Sequence, residues 1–545
     1  MSPVTPGRID AHYDAVVVGA GFSGLYMLHR LRALGLAARV FEQGGDVGGT
    51  WYWNRYPGAR CDIESVQYSY SFSRELEQEW DWSERYASQS EILNYARHVA
   101  DRFALRPHIE FNTRVAAAAF DEDRWRVTLD GGRRVTAHYL IMATGCLSNA
   151  RTPDFQGLDR FKGRSYHTGQ WPHEGVDFTG LRVGVVGTGS SGIQSIPVIA
   201  EQAKHVTVFQ RTPNYSIPAR NAPLSAEDRR WWKENYPELR RRAREEMRNG
   251  IVTEIPYKGA LDDSAEARAA RYESRWSRGG LTFMTAYNNL ALEQAANDTA
   301  ADFVRGKIAE TVQDPAVAKL LQPTTYPIGT KRICIDTDYF ETFNRTNVTL
   351  VDIRAAPIRA VTPDGVVAGE TEYPLDAIVF ATGFDAMTGS FAKVDISCDG
   401  LTLNGKWAEG PKSYIGLMVA GFPNLFIITG PGSPSVLSNM MESIEQHVDW
   451  IADCLAYLRE HDIDRIEATR DAEDRWVAHV NEVAHKTLYP EANSWYMGAN
   501  IPGKPRIFMP YIGGVNVYRQ ICDAVAAKGY EGFALTRREQ VRAAE

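Results

Sequence analysis

At 545 residues the chain exceeds what one hydrophobic core usually supports, and a composition of 44% hydrophobic and 23% charged residues excludes long disorder and fibrous repeats. Its net charge of -8 argues against a nucleic-acid footprint, because backbone phosphates call for a basic face. Small molecules are the expected partners.

Residues 1–14 hold no apolar segment behind a basic stretch, and the first hydrophobic run, 15–19, is too short for a signal peptide. The most apolar later stretch, 414–430, is broken by Gly416, Gly421, Pro423 and Asn424. A membrane-spanning helix needs about 20 largely uninterrupted apolar residues, so this stretch reads as strands and turns and no membrane span is expected. The six cysteines (Cys61, Cys146, Cys334, Cys398, Cys454, Cys522) form no C-x-x-C pair and no zinc-ligand spacing. No metal site is expected. Each cysteine reads as a small buried residue in a reducing cytoplasm.

In chain order, residues 13–19 (YDAVVVG) form a short β-branched run ending at glycine. Residues 20–35 follow with Leu25, Leu28, Leu31 and Leu34 at helical spacing, and 38–42 is a second short strand. A second βαβ start lies at 181–187 (LRVGVVG), with a helix over 191–202 and a strand at 205–210. Between Pro223 and Pro323 the text turns charge-dense and helical, as in Glu238-Leu239-Arg240-Arg241-Arg242, and such charges usually mark a solvated helix face. Strand-like text returns at 348–351 and 376–380. From Met387 the chain is expected to rejoin the first fold and close it with helices around 443–458.

The glycines between strand and helix carry the first chemistry. In Gly19-Ala20-Gly21-Phe22-Ser23-Gly24, Gly19 permits the tight turn, Gly21 the approach of a pyrophosphate to the backbone, and Gly24 close helix–strand packing. Glu42 ends the next strand, where a carboxylate can accept from both ribose hydroxyls. The second fingerprint is Gly187-Thr188-Gly189-Ser190-Ser191-Gly192, and its strand ends in Gln210-Arg211-Thr212 rather than an acid. An acid repels a 2′-phosphate whereas a guanidinium binds it bidentately, so the second site is expected to prefer NADP(H). Lys331 reads either as a second cation there or as a surface lysine. An acidic fingerprint first and a phosphate-preferring one second is the order of two-dinucleotide flavoproteins, with FAD in the first. Ala143-Thr144-Gly145 and Ala381-Thr382-Gly383, each ending a strand, suit the crossings between the two.

Phe161-Lys162-Gly163-Arg164-Ser165-Tyr166-His167-Thr168-Gly169-Gln170-Trp171-Pro172 matches F-x-G-x-x-x-H-T-x-x-W-P, just ahead of the second glycine loop. In this the chain resembles the type I Baeyer–Villiger monooxygenases, over about residues 13–533 and most of all in the phenylacetone and steroid monooxygenase branch. Gly48-Gly49-Thr50-Trp51 through Tyr56-Pro57-Gly58 to Asp62 is similar to the family's second signature, which adds Thr50 and Trp51 to the expected cofactor contacts. Ser494-Trp495-Tyr496 with Gly498-Ala499-Asn500 resembles its mobile C-terminal loop, whose tryptophan, here Trp495, folds over the nicotinamide cofactor.

The resemblance implies an α/β fold with two Rossmann-like dinucleotide-binding domains, for FAD and NADP, and a helical insertion. The expected division is FAD domain 1–146 and 386–545, NADP domain 147–222 and 324–385, insertion 223–323, and a mobile loop near 490–505. It implies conversion of a ketone and O2 to an ester or lactone through a flavin C4a-peroxide, with Arg332 stabilising the anions and Asp62 orienting that arginine. Phe161, Gly163, His167 and Trp171 are expected to act as a hinge on the link between the domains, with His167 bonding to backbone rather than moving a proton. Gly430-Pro431-Gly432-Ser433-Pro434-Ser435-Val436-Leu437 resembles the stretch that bulges toward the substrate pocket, placing Ser435, Val436 and Leu437 there and favouring aryl-alkyl, bulky cyclic or steroid-like ketones. A monomer is compatible with all of this. Two alternatives stand beside it: a related flavin monooxygenase acting on sulfur or nitrogen, against which Trp171-Pro172 and Asp62 argue, and a non-enzymatic flavin redox sensor, which needs no arginine at the flavin. A disulfide reductase is disfavoured, since no C-x-x-x-x-C follows the first fingerprint.

Overall fold

The computed structural model describes residues 9–537, so residues 1–8, part of the stretch weighed for a leader, and residues 538–545, the end of the last expected segment, lie outside the described residues. The first strand, Ile9–Val18, is buried over its last four residues and runs parallel to both Ala38–Phe41 and Arg134–Met142, with Val16 opposite Arg39 and Leu140. The helix Phe22–Ala33 packs against it through Leu25, Leu28 and Leu31, all fully buried. Strand Arg134–Met142 also takes Arg124–Leu129 antiparallel and, from far along the chain, Leu425–Ile427 parallel. Asp395–Cys398 joins beyond Val115–Asp121. The C-terminal half thus completes a nine-stranded sheet begun at the N-terminus.

The second sheet has five strands, all parallel, in the order Val348–Asp352, His205–Gln210, Arg182–Val186, Ala377–Phe380, Arg164–His167. Its central strands are buried on both faces and read as unbroken valine-rich text, as parallel sheets require. The strand Arg164–His167 belongs to the F-x-G-x-x-x-H-T signature, so what reads as a link is an edge strand of this sheet, with His167 opposite Phe380. A three-stranded antiparallel sheet over Ile358–Thr362, Gly365–Ala368 and Thr371–Pro374 lies between two of the expected strands.

Four helices, Ala226–Glu245, Ala265–Arg278, Gln294–Thr311 and Pro315–Leu321, fill the charge-dense stretch. A reciprocal capping box between Ser225 and Asp228 starts the first of them. Arg241 pairs with Glu238, Glu245 and Glu246 on the surface, as a solvated face predicts. Arg240 departs from that expectation: it is buried, donates to Glu77 at 3.0 Å and to Ser69 Oγ at 2.7 Å, and fastens the insertion to the first fold. The closing helices are Met440–Glu460, Arg470–His485 and Val515–Ala527. Within 414–430 the secondary structure is the strand Leu425–Ile427 and a bridge between Tyr414 and Met418. All six cysteines are free and buried, and among the described residues no helix is long and apolar enough to cross a membrane.

Candidate active site

The two glycine loops have the same construction. Gly19 and Gly187 sit at φ +104° and +109°, and a Cβ on either would lie 2.7 Å and 2.5 Å from the carbonyl oxygens of Ala143 and Ala381. The two A-T-G crossings therefore run directly against the first glycine of each loop. A Cβ at Gly24 or Gly192 would approach the Gly19 or Gly187 oxygen to 1.9 Å or 2.3 Å, so these glycines are demanded by the fold itself. The middle glycines differ. A Cβ on Gly21 would meet nothing nearer than Gly49 Cα at 3.4 Å, and one on Gly189 nothing within 4 Å. The protein leaves space there that its own packing does not require. Both helices begin with no side-chain cap and no acid in the first turn, whereas Ser73, Ser88, Ser225, Ser264 and Thr469 cap theirs. Uncapped N–H groups facing an open cradle suit a pyrophosphate.

Around the first loop, Glu42 is buried and takes Ala20 N on one oxygen and Gly44 N on the other, both at 2.7 Å. Burial raises its pKa, and these two hydrogen bonds work against that rise. One further lone pair on each oxygen is left for ribose hydroxyls. Thr50 opens the short helix Thr50–Trp53, and Trp51 is buried with Nε1 donating to Tyr68 at 3.2 Å. Around the second loop, Ser190 Oγ lies 3.2 Å from Cys334 Sγ, and Thr212 O accepts from Thr188 at 3.0 Å. Arg211 is exposed and, among the described residues, pairs with no carboxylate. Lys331 lies 4.4 Å from the centre of the Tyr326 ring, and its pKa falls to about 8 through burial first and the nearby Arg211 charge second. Arg211 and Lys331 are thus neighbouring cations, with no acid paired to either among the described residues.

Arg332, two residues ahead of the strand Cys334–Asp336, reaches across to the first fold. Asp62 reaches it from a segment of the first fold in which Gly58, at φ +78°, presses so close to the helix Ser190–Gln202 that a Cβ would lie 2.3 Å from Gln194 O. Arg332 donates Nε and Nη2 to the two oxygens of Asp62, each at 2.7 Å, and Nη1 to the carbonyl of Val436 at 3.0 Å. Three of its five N–H groups are used, leaving one on each terminal nitrogen. Burial opposes the charge on Arg332, but Asp62 outweighs it, so the guanidinium stays charged. Val436 lies on the 3-10 turn Ser435–Leu437, where the Ser435 hydroxyl is buried without a partner among the described residues and Leu437 packs half-buried in a cluster with Tyr496. The pairing of Arg332 with the Val436 backbone has no sequence signal, because any residue carries a carbonyl.

The signature residues lie apart from Arg332. Phe161 packs in the core beside the second sheet, and a Cβ on Gly163 would meet Asp376 O at 2.4 Å and the Phe161 ring at 2.5 Å. Trp171 is buried against Tyr166 and Phe178. His167 accepts from Gly169 N at 2.9 Å through Nδ1, which leaves Nε2 to donate to Arg151 O at 3.0 Å. Burial lowers its pKa, favouring this neutral form. Arg151 N in turn donates to Gly383 O at 3.1 Å, where the two crossings run side by side. The C-terminal loop docks on the same strip, with Asn500 donating to Phe384 O and Lys504 to Asp385, both at 2.7 Å. Trp495, half-buried, opens a 3-10 turn and its ring lies tilted against that of Tyr496, with centroids 4.3 Å apart.

Residues 16–257 match the family model described as pyridine nucleotide-disulphide oxidoreductase. The chain is 44% identical to the Baeyer-Villiger monooxygenase of Pseudooceanicola batsensis, over 97% of each chain. It is 41% identical to a phenazine N-monooxygenase of Lysobacter antibioticus, over 96% of this chain and 97% of that one. Among solved structures, oxidised steroid monooxygenase bound to NADP is 55% identical with a TM-score of 0.92, covering 96% of this chain and 100% of that one. OTEMO in complex with FAD and NADP superposes with a TM-score of 0.93 at 41% identity, over 96% of this chain and 99% of that one. With this identity carried along almost its whole length, the chain belongs to the Baeyer–Villiger monooxygenase family.

Proposed function

We propose that this protein is an FAD- and NADPH-dependent monooxygenase that converts ketones, of the aryl-alkyl, bulky cyclic or steroid-like kind, to esters or lactones. The observation that carries this reading is Arg332, held by Asp62 and by the Val436 carbonyl, with two N–H groups unused among the described residues. FAD lies on Gly19, Gly21 and Gly24, with Glu42 on its ribose and Thr50 and Trp51 beside it. NADP(H) lies on Gly187, Gly189, Ser190 and Gly192, flanked by Thr212, with Arg211 and Lys331 on the 2′-phosphate and Trp495 covering it. The solved relative in complex with FAD and NADP supports the presence of both cofactors.

When bound, the flavin supplies the chemistry that NADPH and O2 need to meet: two electrons arrive from the nicotinamide, one oxygen atom enters the product and the other leaves as water. The side chains do the rest. Arg332 offers its free N–H groups to oxygen atoms that gain negative charge as the carbonyl is attacked, and Asp62 keeps those groups aimed without surrendering the cation. The turn Ser435–Leu437 shapes the space for the ketone. His167, neutral and bonded to the crossings, holds the edge strand that a domain rotation must carry.

A second reading, oxidation of nitrogen or sulfur, is favoured by the phenazine N-monooxygenase relative, whose identity to this chain is close to that of the others. Purified holoprotein given NADPH, with oxygen use and products followed over a panel of linear, cyclic and aromatic ketones, sulfides and amines, separates the two. Ester formation is expected. Heteroatom oxides with no ester from any ketone would replace the first reading by the second.

A further inference from the structure

Tyr496 neighbours Trp495 on the C-terminal loop, and its ring is only 2% exposed. The ring rests against Trp495 at 4.3 Å, Tyr489 at 6.0 Å and Phe508 at 6.4 Å, while its carbonyl takes Met509 N at 2.9 Å. Its hydroxyl makes no hydrogen bond to any of the described residues. Some buried tyrosines are paired, Tyr326 donating to Asn214 Oδ1 at 2.7 Å, Tyr518 to Ile415 O at 2.5 Å and Tyr70 to Phe22 O at 2.5 Å, whereas Tyr86 and Tyr339 share with Tyr496 a hydroxyl that has no partner among the described residues. A buried phenol is ordinarily paired, because an unmet hydroxyl keeps its desolvation penalty.

The place of this hydroxyl says what would pair it. Tyr496 shares one apolar cluster with Val436, Met387 and Cys146, and the charges of Arg332 and Asp62 both reach it. Burial raises its pKa, outweighing the pull of Arg332, so the group stays an O–H donor. We propose that the Tyr496 hydroxyl is a substrate-positioning donor, which binds the carbonyl oxygen of the ketone beside Arg332 and makes the pocket prefer a carbonyl over a hydrocarbon of the same shape. This rests on the ketone reading above. Because Asn500 and Lys504 dock the same loop on the crossing 384–386, the donor is in place only when the loop is. Recognition of the carbonyl and covering of the nicotinamide site then occur together.

The test compares phenylacetone with n-propylbenzene, which has the same skeleton without the carbonyl, by equilibrium titration into oxidised holoenzyme holding NADP+. In Tyr496→Phe the affinity for phenylacetone should fall by about three- to tenfold, the worth of one neutral hydrogen bond, while that for propylbenzene stays as it was. Flavin content and the rate of flavin reduction by NADPH should not change. Asn500→Ala, which leaves the phenol in place but loosens the loop, should narrow the same carbonyl preference. An equal fall for both ligands in Tyr496→Phe means a packing role and overturns the proposal, as does a carbonyl preference that survives intact or is missing from the unaltered protein. A holoenzyme that forms no ester, yet loses its carbonyl preference in Tyr496→Phe, rejects the reaction proposed above and leaves this inference standing.

Discussion

Arg332 and Asp62, 270 positions apart, meet in a two-pronged ion pair with both nitrogen–oxygen distances at 2.7 Å. Asp62 belongs to a loop of the first fold and Arg332 precedes the strand Cys334–Asp336 beside the second, so the pair is also a clasp between the two. If Arg332 serves developing oxyanions, Arg332→Ala should lower ester formation by about 10² to 10³, the usual effect of a missing oxyanion donor. NADPH should still reduce the flavin, and the reduced flavin should then release hydrogen peroxide. Asp62→Ala should be milder, since it removes the aim and keeps the cation. Anaerobic and then aerobic stopped-flow absorbance with product analysis decides the matter. A normal ester yield in Arg332→Ala refutes the role, and loss of NADPH binding would assign Arg332 to the cofactor instead.

The contrast among glycines makes a sharper statement about FAD than the fingerprint does. Gly21 has ordinary backbone angles and room for a Cβ, whereas a Cβ on Gly24 would lie 1.9 Å from the Gly19 oxygen. Gly21→Val should therefore fold, with normal far-ultraviolet circular dichroism, yet come out colourless because its side chain fills the pyrophosphate space. Gly24→Ala should lose fold and flavin together, as overpacking against backbone costs about 1–3 kcal/mol or more. Full flavin occupancy in Gly21→Val would place FAD elsewhere.

What could be read from the residues and what could not divides along range. The fold class was legible because each βαβ start is local: a β-branched run, a glycine turn and leucines at helical spacing occupy some thirty residues. The antiparallel hairpin at Pro363-Asp364-Gly365 carries a local turn signal too, though the sequence reading names no strand on either side of it. The edge strand Arg164–His167 was hidden for another reason, since only pairing with Ala377–Phe380 makes it a strand. At the site, the glycines and Glu42 announce themselves by spacing. The Val436 carbonyl, the unpaired Tyr496 hydroxyl and the Arg240–Glu77 pair, 163 positions apart, depend on contacts that no window of sequence contains.

Arg240 offers a test of how the insertion is held. Its side chain and that of Glu77 are 5% and 6% exposed, and Glu442 lies 3.9 Å away at 3%. Removing the cation strands buried carboxylates, so Arg240→Ala should cost about 3–5 kcal/mol in urea unfolding. Arg240→Met with Glu77→Gln should recover part of that loss, since Glu77 is then no longer an unmatched charge and only Glu442 still lacks the cation. A loss below about 1 kcal/mol would show that water reaches the cluster.

Coenzyme choice can be read through pH. Lys331 titrates near about 8 rather than at the ordinary 10.5, because burial opposes its charge and Arg211 repels it. A 2′-phosphate brings the opposite charge, so binding NADPH above that pH must draw a proton onto Lys331. Affinity for NADPH is then full below about pH 8 and declines as pH rises through it, by at most about tenfold per unit, whereas NADH, lacking the phosphate, shows no such decline. Arg211→Ala should weaken NADPH by about ten- to hundredfold, for a charged hydrogen bond of about 1.5–3 kcal/mol, and leave NADH nearly unchanged. It also removes the repulsion, so the remaining decline should move toward higher pH. Lys331→Arg, always protonated, should flatten it. Titrations of both coenzymes at several pH values, in the unaltered protein and the two variants, check each sign. A parallel decline for NADH, or an unaltered NADPH-to-NADH ratio in Arg211→Ala, would remove the phosphate from these two cations.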